Sequence, residues 1–265
     1  MVSTIPPLRV RILSPLLRRL RPAWVASLAK RMIKIQRLQV QTAHGLFFVD
    51  PISHLGNLLI SEGVYEKCMI STLVKHLSPG AVFVDVGANE GYFSVLASAL
   101  VGASGRVLAI EPQSRLQAVL QQNFELNRCS NIKLISLAVS DAENTAELYL
   151  TPDTNSGASG LSRLTRYRLP TETVKTTTLS KLVEAQQLGR IDLMKMDIEG
   201  FEYEALFGAE ALLRSGQIRA LALELHPPAM LARGLDPARL VKLLNDCGYF
   251  LDPDSETSVY LATQK

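Results

Sequence analysis

The segment from Val82 to Tyr92, Val-Phe-Val-Asp-Val-Gly-Ala-Asn-Glu-Gly-Tyr, constrains the fold more than any other part of the chain. Ala81–Val86 is an apolar run with a single acid near its end, which is typical of a parallel strand buried on both faces. Gly87 permits a tight turn after this strand, and Gly91 allows the next helix to pack closely on it. The first amides of that helix suit an anionic group. The segment therefore predicts a strand–turn–helix unit with a ligand at the turn.

The same alternation of strand and helix continues along the chain. Helical patterns of about 10 to 15 residues separate further strand-like runs, and a final antiparallel hairpin is expected. This order predicts an α/β fold, a doubly wound Rossmann-like sheet of about seven strands. Residues 46–60, upstream of it, are expected to form one or two short strands around a turn at 54–57. The further strand-like runs lie at 106–110, 132–139, 191–196 and 218–225, and those of the hairpin at 249–251 and 258–262.

The charge of the chain is unevenly distributed. Residues 1–40 contain nine Lys or Arg and no acid, whereas the remaining 225 residues contain 19 bases and 25 acids. An acidic body argues against a catalytic domain built around a nucleic-acid surface, so we expect no nucleic-acid partner. The chain length allows one large domain and a short extension. We predict a basic helical extension over residues 1–45 and one enzyme-sized domain over 46–265.

The basic extension is expected to form two helices, near 9–20 and 23–38, separated at Pro22. It is open to three interpretations: a cap packed on the domain, a helix at a membrane surface, or a helix that binds a partner. In each case we expect residues 1–40 to be dispensable for binding of the ligand at the glycine turn.

Cysteine content and hydropathy bear on location. The three cysteines form no CxxC pair, which suits a reducing compartment. The longest nearly apolar runs fall short of the roughly 20 residues of a membrane span, and the N-terminus lacks the apolar core of a secretory signal peptide. We therefore expect a cytoplasmic protein, peripheral at a membrane surface if the extension binds there.

Glu111 extends the ligand prediction to a nucleoside. It ends the strand after the glycine turn, where an acid can accept hydrogen bonds from both ribose hydroxyls. An NAD site would require a second glycine where this chain has Asn89, and Asp85 would repel a pyrophosphate. A carboxylate is favourable beside the ammonium and sulfonium groups of S-adenosylmethionine. These residues therefore fit S-adenosylmethionine better than NAD, with an NAD-type oxidoreductase and a non-catalytic, membrane-associated nucleoside-binding protein as the alternatives.

Two more strand ends carry candidate catalytic groups. Asp197 and Glu199 follow the fourth main strand, where open α/β sheets bind ligands, and two acids there can hold a divalent cation or orient a hydroxyl. Glu224 and His226 follow the fifth strand. We predict His226 as a general base whose tautomer is fixed by Glu224. The sequence leaves open whether a metal is bound at Asp197 and Glu199.

The ordered set of Asp85-Val-Gly-Ala-Asn-Glu-Gly91, Glu111-Pro112, Lys195-Met-Asp-Ile-Glu-Gly-Phe-Glu202 and Glu224-Leu-His226 resembles the FkbM family of class I S-adenosylmethionine-dependent methyltransferases. The resemblance runs from about Glu62 to Tyr249. It implies methyl transfer to a hydroxyl of a sugar, glycolipid or other small natural product.

The resemblance also implies site residues. Asp141 is expected near the adenine, and Glu62 or Glu66 near the cofactor or the acceptor. Independently of the resemblance, the hydroxyl-rich composition of Ser156–Arg163 fits either a flexible cover over the acceptor or a solvated loop. The predicted cofactor contacts at and around the glycine turn are Asp85, Gly87, Asn89, Gly91 and Glu111.

Overall fold

The computed structural model describes residues 7–18, 23–152, 157, 159–161 and 169–263. Its helices are α1 (Leu8–Arg18), α2 (Ala23–Met32), α3 (His54–Ser61), α4 (Lys67–His76), α5 (Tyr92–Val101), α6 (Ser114–Leu126), α7 (Leu179–Ala185), α8 (Glu202–Phe207), α9 (Glu210–Arg214), α10 (Pro227–Ala232) and α11 (Pro237–Asp246). Its strands are β1 (Leu38–Thr42), β2 (Gly45–Val49), β3 (Val82–Val86), β4 (Arg106–Ile110), β5 (Ile132–Ile135), β6 (Ala138–Val139), β7 (Asn144–Tyr149), β8 (Thr171–Thr177), β9 (Leu193–Met196), β10 (Ala220–Leu223), β11 (Tyr249–Leu251) and β12 (Val259–Ala262).

The main sheet has seven strands in the order β11-β12-β10-β9-β3-β4-β5. The five strands from β10 to β5 are parallel, whereas β12 runs antiparallel to both β10 and β11. This arrangement confirms the predicted doubly wound sheet and its terminal hairpin. A separate three-stranded sheet has the order β6-β8-β7.

Helices cover both faces of the main sheet, and each face has its own apolar core. Successive side chains of a strand point to opposite faces, so Phe83 of β3 belongs to one core and Val84 to the other. The first core includes residues of α4, α5 and α6, and the second includes residues of α7, α8 and α11. The strand ends are thereby fixed from both sides, and the turns that follow them share one edge.

The region before the main sheet differs from the prediction. Residues 54–61 form the helix α3 where a turn was predicted. Ser53 caps this helix by accepting a hydrogen bond from the amide of Gly56, and Leu55 and Leu59 bury one face, one helical turn apart. A short polar-flanked apolar run cannot be distinguished as helix or strand by periodicity alone, which explains the error.

The second leader helix ends earlier than predicted. It stops at Met32, and Lys34 has a left-handed backbone with φ of 53°. The amide of Ile35 donates to the carbonyl of Lys30, a pattern that closes a helix. Residues 38–42 then form β1, which pairs with β2 across the boundary predicted at 45/46. The division into an extension and a domain stays a prediction.

A charged pair connects the extension to the glycine turn. Arg37 donates to both carboxylate oxygens of Glu90, at 2.9 and 3.2 Å. Glu90 is 1% exposed; burial raises its pKa, and the charge and hydrogen bonds of Arg37 oppose that rise. The side chain of Asn123 adds a bridge, donating to the carbonyl of Glu90 and accepting from the amide of Phe48. Residues 1–40 thus include one half of a pair that holds the glycine turn, and their dispensability for cofactor binding stays a prediction.

Within the described ranges, no helix combines the length and apolar character needed to cross a bilayer.

We predict that Arg37→Gln lowers the free energy of unfolding by about 3 kcal/mol, because the carboxylate of Glu90 is left buried without its partner. Urea denaturation measures this change. Arg214→Gln is the matched control: it breaks a solvent-exposed pair with Glu210 and should leave the midpoint nearly unchanged. The double variant Arg37→Met/Glu90→Met should recover most of the loss. An Arg37→Gln variant as stable as the wild type would contradict the assignment.

Candidate active site

A cavity of about 290 Å³ opens at the carboxyl edge of the main sheet. The turn after β3, the end of β4 and the segments after β9 and β10 form much of its wall. Residues from four predicted positions thereby meet in one place, since the carboxyl ends of parallel strands share an edge. The predicted residues on its wall are Gly87, Asn89, Glu111, Asp197, Glu199 and Glu224.

The glycine turn touches the neighbouring strand end directly. Gly87 has φ of +84°, and a Cβ at this position would lie 1.9 Å from the carbonyl oxygen of Asp197. No larger residue fits this contact, and the left-handed backbone also favours glycine. Gly91 has a different role: it does not line the cavity, and a Cβ there would lie 2.8 Å from the ring of Phe124. Gly91 therefore serves the packing of α5 on α6 and is not placed to contact a ligand.

Glu111 is held rigidly on the cavity wall. Its two carboxylate oxygens accept hydrogen bonds from the amides of Asn89 and Gln113, at 2.9 and 3.0 Å. The side chain is 3% exposed. Burial raises the pKa of Glu111 to about 7, against the lowering by the two amides. Each oxygen retains a second lone pair, so the carboxylate can accept further hydrogen bonds from a ligand.

Besides Gly91, the predicted cofactor residues Asp85 and Asp141 lie away from the cavity wall. Asp85 is 1% exposed and accepts a hydrogen bond from the hydroxyl of Ser94 at 2.6 Å. It pairs in register with Lys195 of β9, whose Nζ lies 3.9 Å from Asp85 Oδ1. The buried amine of Lys195 is therefore a cation beside Asp85 that the chain itself supplies. Asp141 is exposed and also lies off the wall, whereas its neighbours Ala138 and Val139 line it.

Asp197, Glu199 and His226 come together as predicted. The Nε2 atom of His226 lies 3.8 Å from Asp197 Oδ1 and 3.5 Å from Glu199 Oε2. Neither acid lies in a strand, because β9 ends at Met196. The turn after it, with Glu199 at φ of 55°, brings the two carboxylates to the same side. One donor atom from each of the three residues lies within 4.8 Å of the others, so the group could hold a metal ion.

Glu202, to which the sequence assigned no role, orients His226. Its Oε1 atom lies 3.0 Å from His226 Nδ1 and also accepts from the amides of Ile198 and Gly200. The side chain of Glu202 is fully buried. Glu224, the predicted orienting acid, lies 4.0 Å from Nε2, and its side chain is 59% exposed. The prediction assumed strand alternation, but β10 ends at Leu223, so Glu224 and His226 are not on one strand face.

The surrounding acids change the protonation of His226. Burial alone would lower its pKa, but the hydrogen bond to Glu202 and the nearby carboxylates outweigh burial and raise the pKa to about 9. Burial raises the pKa of Glu199 to about 7, although the charge of His226 opposes that rise. At pH 7 the imidazole is therefore protonated, and its Nδ1–H is held by Glu202.

Two further regions complete the cavity wall. Tyr65 and Glu66 line it from the segment before α4, whereas Glu62 does not. Burial raises the pKa of Tyr65, with an added contribution from the charge of Glu66. Of the segment predicted to cover the acceptor, Gly157, Ser159, Gly160 and Leu161 line the cavity. Residues 156, 158, 162 and 163 lie outside the described residues.

The sequence is similar to known methyltransferases. The family model of the methyltransferase FkbM domain matches residues 85–251, and that of protein-L-isoaspartate(D-aspartate) O-methyltransferase matches residues 17–145. Hexuronic acid methyltransferase AglP of Haloferax volcanii is 26% identical over 184 residues, 68% of each chain. Protein-L-isoaspartate O-methyltransferase 1 of Arabidopsis thaliana is 33% identical over 113 residues, 42% of this chain and 49% of the plant protein.

Two further proteins are similar to this chain. The antimetabolite synthetase AmbE of Pseudomonas aeruginosa is 25% identical over 208 residues, 64% of this chain. The chain spans about half of the plant relative's length and a tenth of the synthetase's. A crystal structure of methyltransferase FkbM from Methylobacillus flagellatus has a TM-score of 0.44 and 18% identity, covering 78% of this chain and 52% of that one. Because the FkbM domain model matches well over half of the sequence, this chain belongs to the FkbM methyltransferase family.

Proposed function

We propose that the protein transfers a methyl group from S-adenosylmethionine to a hydroxyl oxygen of a sugar, glycolipid or other small natural product. The observation that carries this proposal is the placement of Glu111 and the His226–Glu202 pair around one edge of the sheet. Glu111 lies on the cavity wall, and His226 contacts Asp197 and Glu199 of that same wall.

The residues on the wall fit S-adenosylmethionine. Glu111 has lone pairs available for ribose hydroxyls, and Gly87 and Asn89 present backbone beside it. Asp197, Glu199 and Glu224 supply negative charge for a cationic ligand. When bound, S-adenosylmethionine supplies an activated methyl group. The chain's own residues then have to position the acceptor and remove its proton.

In this proposal His226 removes that proton. Glu202 holds Nδ1, so Nε2 is the nitrogen that can exchange a proton with an acceptor. Because its pKa is about 9, His226 must first lose a proton before it can act as a base at neutral pH. Asp197 and Glu199 can accept hydrogen bonds from the acceptor hydroxyl and hold it near Nε2. Base-catalysed turnover is thus expected to increase with pH up to about 9.

A divalent cation is the second candidate for this group of residues. Asp197, Glu199 and His226 offer two oxygen ligands and one nitrogen ligand within 4.8 Å of one another. Such a set suits hard to intermediate divalent ions such as Mg²⁺ and Mn²⁺. Glu202 would then be the outer carboxylate that orients the histidine ligand. A bound cation would polarise the acceptor hydroxyl in place of the base.

The exposed apolar side chains of the extension support a peripheral membrane contact, which we also propose. Ile12 and Leu16 of α1 are 53% and 54% exposed, and Leu28 and Met32 of α2 are 51% and 76% exposed. They lie within a region whose nine charged residues are all basic. Apolar side chains flanked by cations suit the surface of an anionic bilayer.

We predict that calorimetry detects binding of S-adenosylmethionine and no binding of NAD. Glu111→Ala should weaken S-adenosylmethionine binding by about 1.5–3 kcal/mol, the scale of hydrogen bonds to a charged acceptor. Glu147→Ala is the matched control, because Glu147 is an exposed acid of β7 away from the cavity. Unchanged affinity in a folded Glu111→Ala variant would refute the ribose assignment. Binding of NAD in preference to S-adenosylmethionine would favour an oxidoreductase.

We predict that Glu202→Gln lowers the pKa of His226 below about 9, because the buried negative charge at Nδ1 is removed. NMR titration of the His226 ring measures the shift, and glutamine retains an oxygen for the two backbone amides. The rise of turnover with pH should move in the same direction. Glu224→Gln should cause a smaller shift, since Glu224 is more distant and exposed.

His226→Ala should reduce turnover by about 10²–10⁴-fold with little change in S-adenosylmethionine affinity, the usual contribution of a general base. A variant that keeps its rate per folded molecule would refute the base. If the wild-type enzyme loses its activity with a chelator and regains it when Mn²⁺ is added, the metal site is favoured over the base.

We predict that the double variant Leu16→Asp/Met32→Asp sediments less with phosphatidylserine vesicles than the wild type does, by about tenfold or more, since each buried apolar side chain contributes about 1.5–3 kcal/mol. Leu231→Asp is the control, because Leu231 is 62% exposed but lies on α10. Wild-type binding should also weaken with salt. Equal sedimentation of the double variant and the wild type would refute the membrane contact.

A further inference from the structure

A second cavity, of about 350 Å³, lies beside the first at the same edge of the sheet. It is formed around the ends of β9 and β10, the start of α4 and the segment before β12. Three acids, Glu66, Asp197 and Glu224, line both cavities. The two cavities therefore adjoin at these three carboxylates, and a molecule in the second can reach toward the first.

The second cavity carries an excess of negative charge. Its charged wall consists of the three shared acids together with Glu256 and the single base Lys195. Lys195 is 8% exposed at its side chain, and its Nζ lies 3.4 Å from Asp197 Oδ2 and 3.9 Å from Asp85 Oδ1. Two carboxylates thus already neutralise this amine, so it is not available to a ligand carboxylate.

The remaining acids of the second cavity are poorly compensated. Within the described residues, no Lys, Arg or His lies within 4 Å of Glu66 or Glu256, and both side chains are exposed. Glu224 lies 4.0 Å from His226. Carboxylates that face a concave wall create a negative potential inside it, which attracts cations and repels anions. They also accept hydrogen bonds from hydroxyl groups.

We propose that the second cavity binds the methyl acceptor, and that the acceptor is a hydroxylated molecule carrying a protonated amine, of the amino-sugar or amino-alcohol class. This inference rests on the proposed methyl transfer. An acceptor whose recognition depends on a carboxylate, such as a hexuronic acid, is disfavoured by the same charges.

The two ends of the cavity indicate how such an acceptor lies. Asp197 marks the inner end, because it lines both cavities and is 3.8 Å from His226 Nε2. Glu256 marks the outer end, because it lines the second cavity alone. The hydroxyl to be methylated therefore lies at Asp197, and the ammonium group lies toward Glu256, with Glu66 between the two cavities.

Three matched sugars test this assignment: glucosamine, glucose and glucuronate, with the protein saturated by S-adenosylhomocysteine. Saturation-transfer NMR measures their binding. We expect glucosamine to bind about five- to tenfold more tightly than glucose, the scale of a partly exposed charge pair, and glucuronate to bind most weakly. Glucuronate binding as strongly as glucosamine, or no binding of any of the three, would overturn the proposal.

Glu256→Gln locates the ammonium site. It should abolish most of the preference for glucosamine over glucose and leave S-adenosylhomocysteine binding unchanged, because Glu256 does not line the first cavity. Glu147→Gln is the control for the loss of one exposed acid elsewhere. A preference that survives Glu256→Gln would overturn the orientation. Failure of S-adenosylhomocysteine to bind would instead refute the proposed function, so the two failures are distinguishable.

Discussion

The backbone contact between Gly87 and Asp197 is the constraint on which the site depends. Because β3 and β9 are adjacent and parallel, their ends leave the sheet side by side, and only a glycine allows the two turns to touch. On one side of this contact, the amide of Asn89 donates a hydrogen bond to Glu111. On the other side lies the turn of residues 197–202, in which the amide of Gly200 donates to Glu202. The buried carboxylate of Glu111 and the imidazole of His226, surrounded by acids, are thereby held around one edge of the sheet.

The sequence was sufficient where the signal was local. The buried strand before Gly87, the acid at the end of the next strand and the order of strands and helices are patterns of neighbouring residues, and the sheet follows from them. The sequence did not predict the contacts of residues that lie beyond the ends of the strands. Strand alternation continued beyond Leu223 predicts Glu224 as the acid that orients His226. The strand ends at Leu223, however, and the turn of residues 197–202 brings Glu202 to the imidazole instead.

The sequence also did not predict which cation lies beside each buried acid. Asp85 has the residue type and position of a ligand contact, but its neighbour across the sheet is Lys195, and that register is a long-range fact. The pair of Arg37 and Glu90 joins positions 53 residues apart in the same way. In both cases a cation of the chain itself lies beside the buried acid, since an isolated buried charge is costly.

Because the two cavities share three acids, the walls of the first and second cavities cannot change independently of each other. A substitution at Glu66, Asp197 or Glu224 alters the walls of both cavities at once, so its effects on the two cavities are not independent. Met69 and Glu256 line only the second cavity, and Glu111 lines only the first. With the acceptor in the second cavity, as proposed, divergence among relatives toward new acceptors would accumulate first at Met69 and Glu256, and changes at the three shared acids would require compensating substitutions.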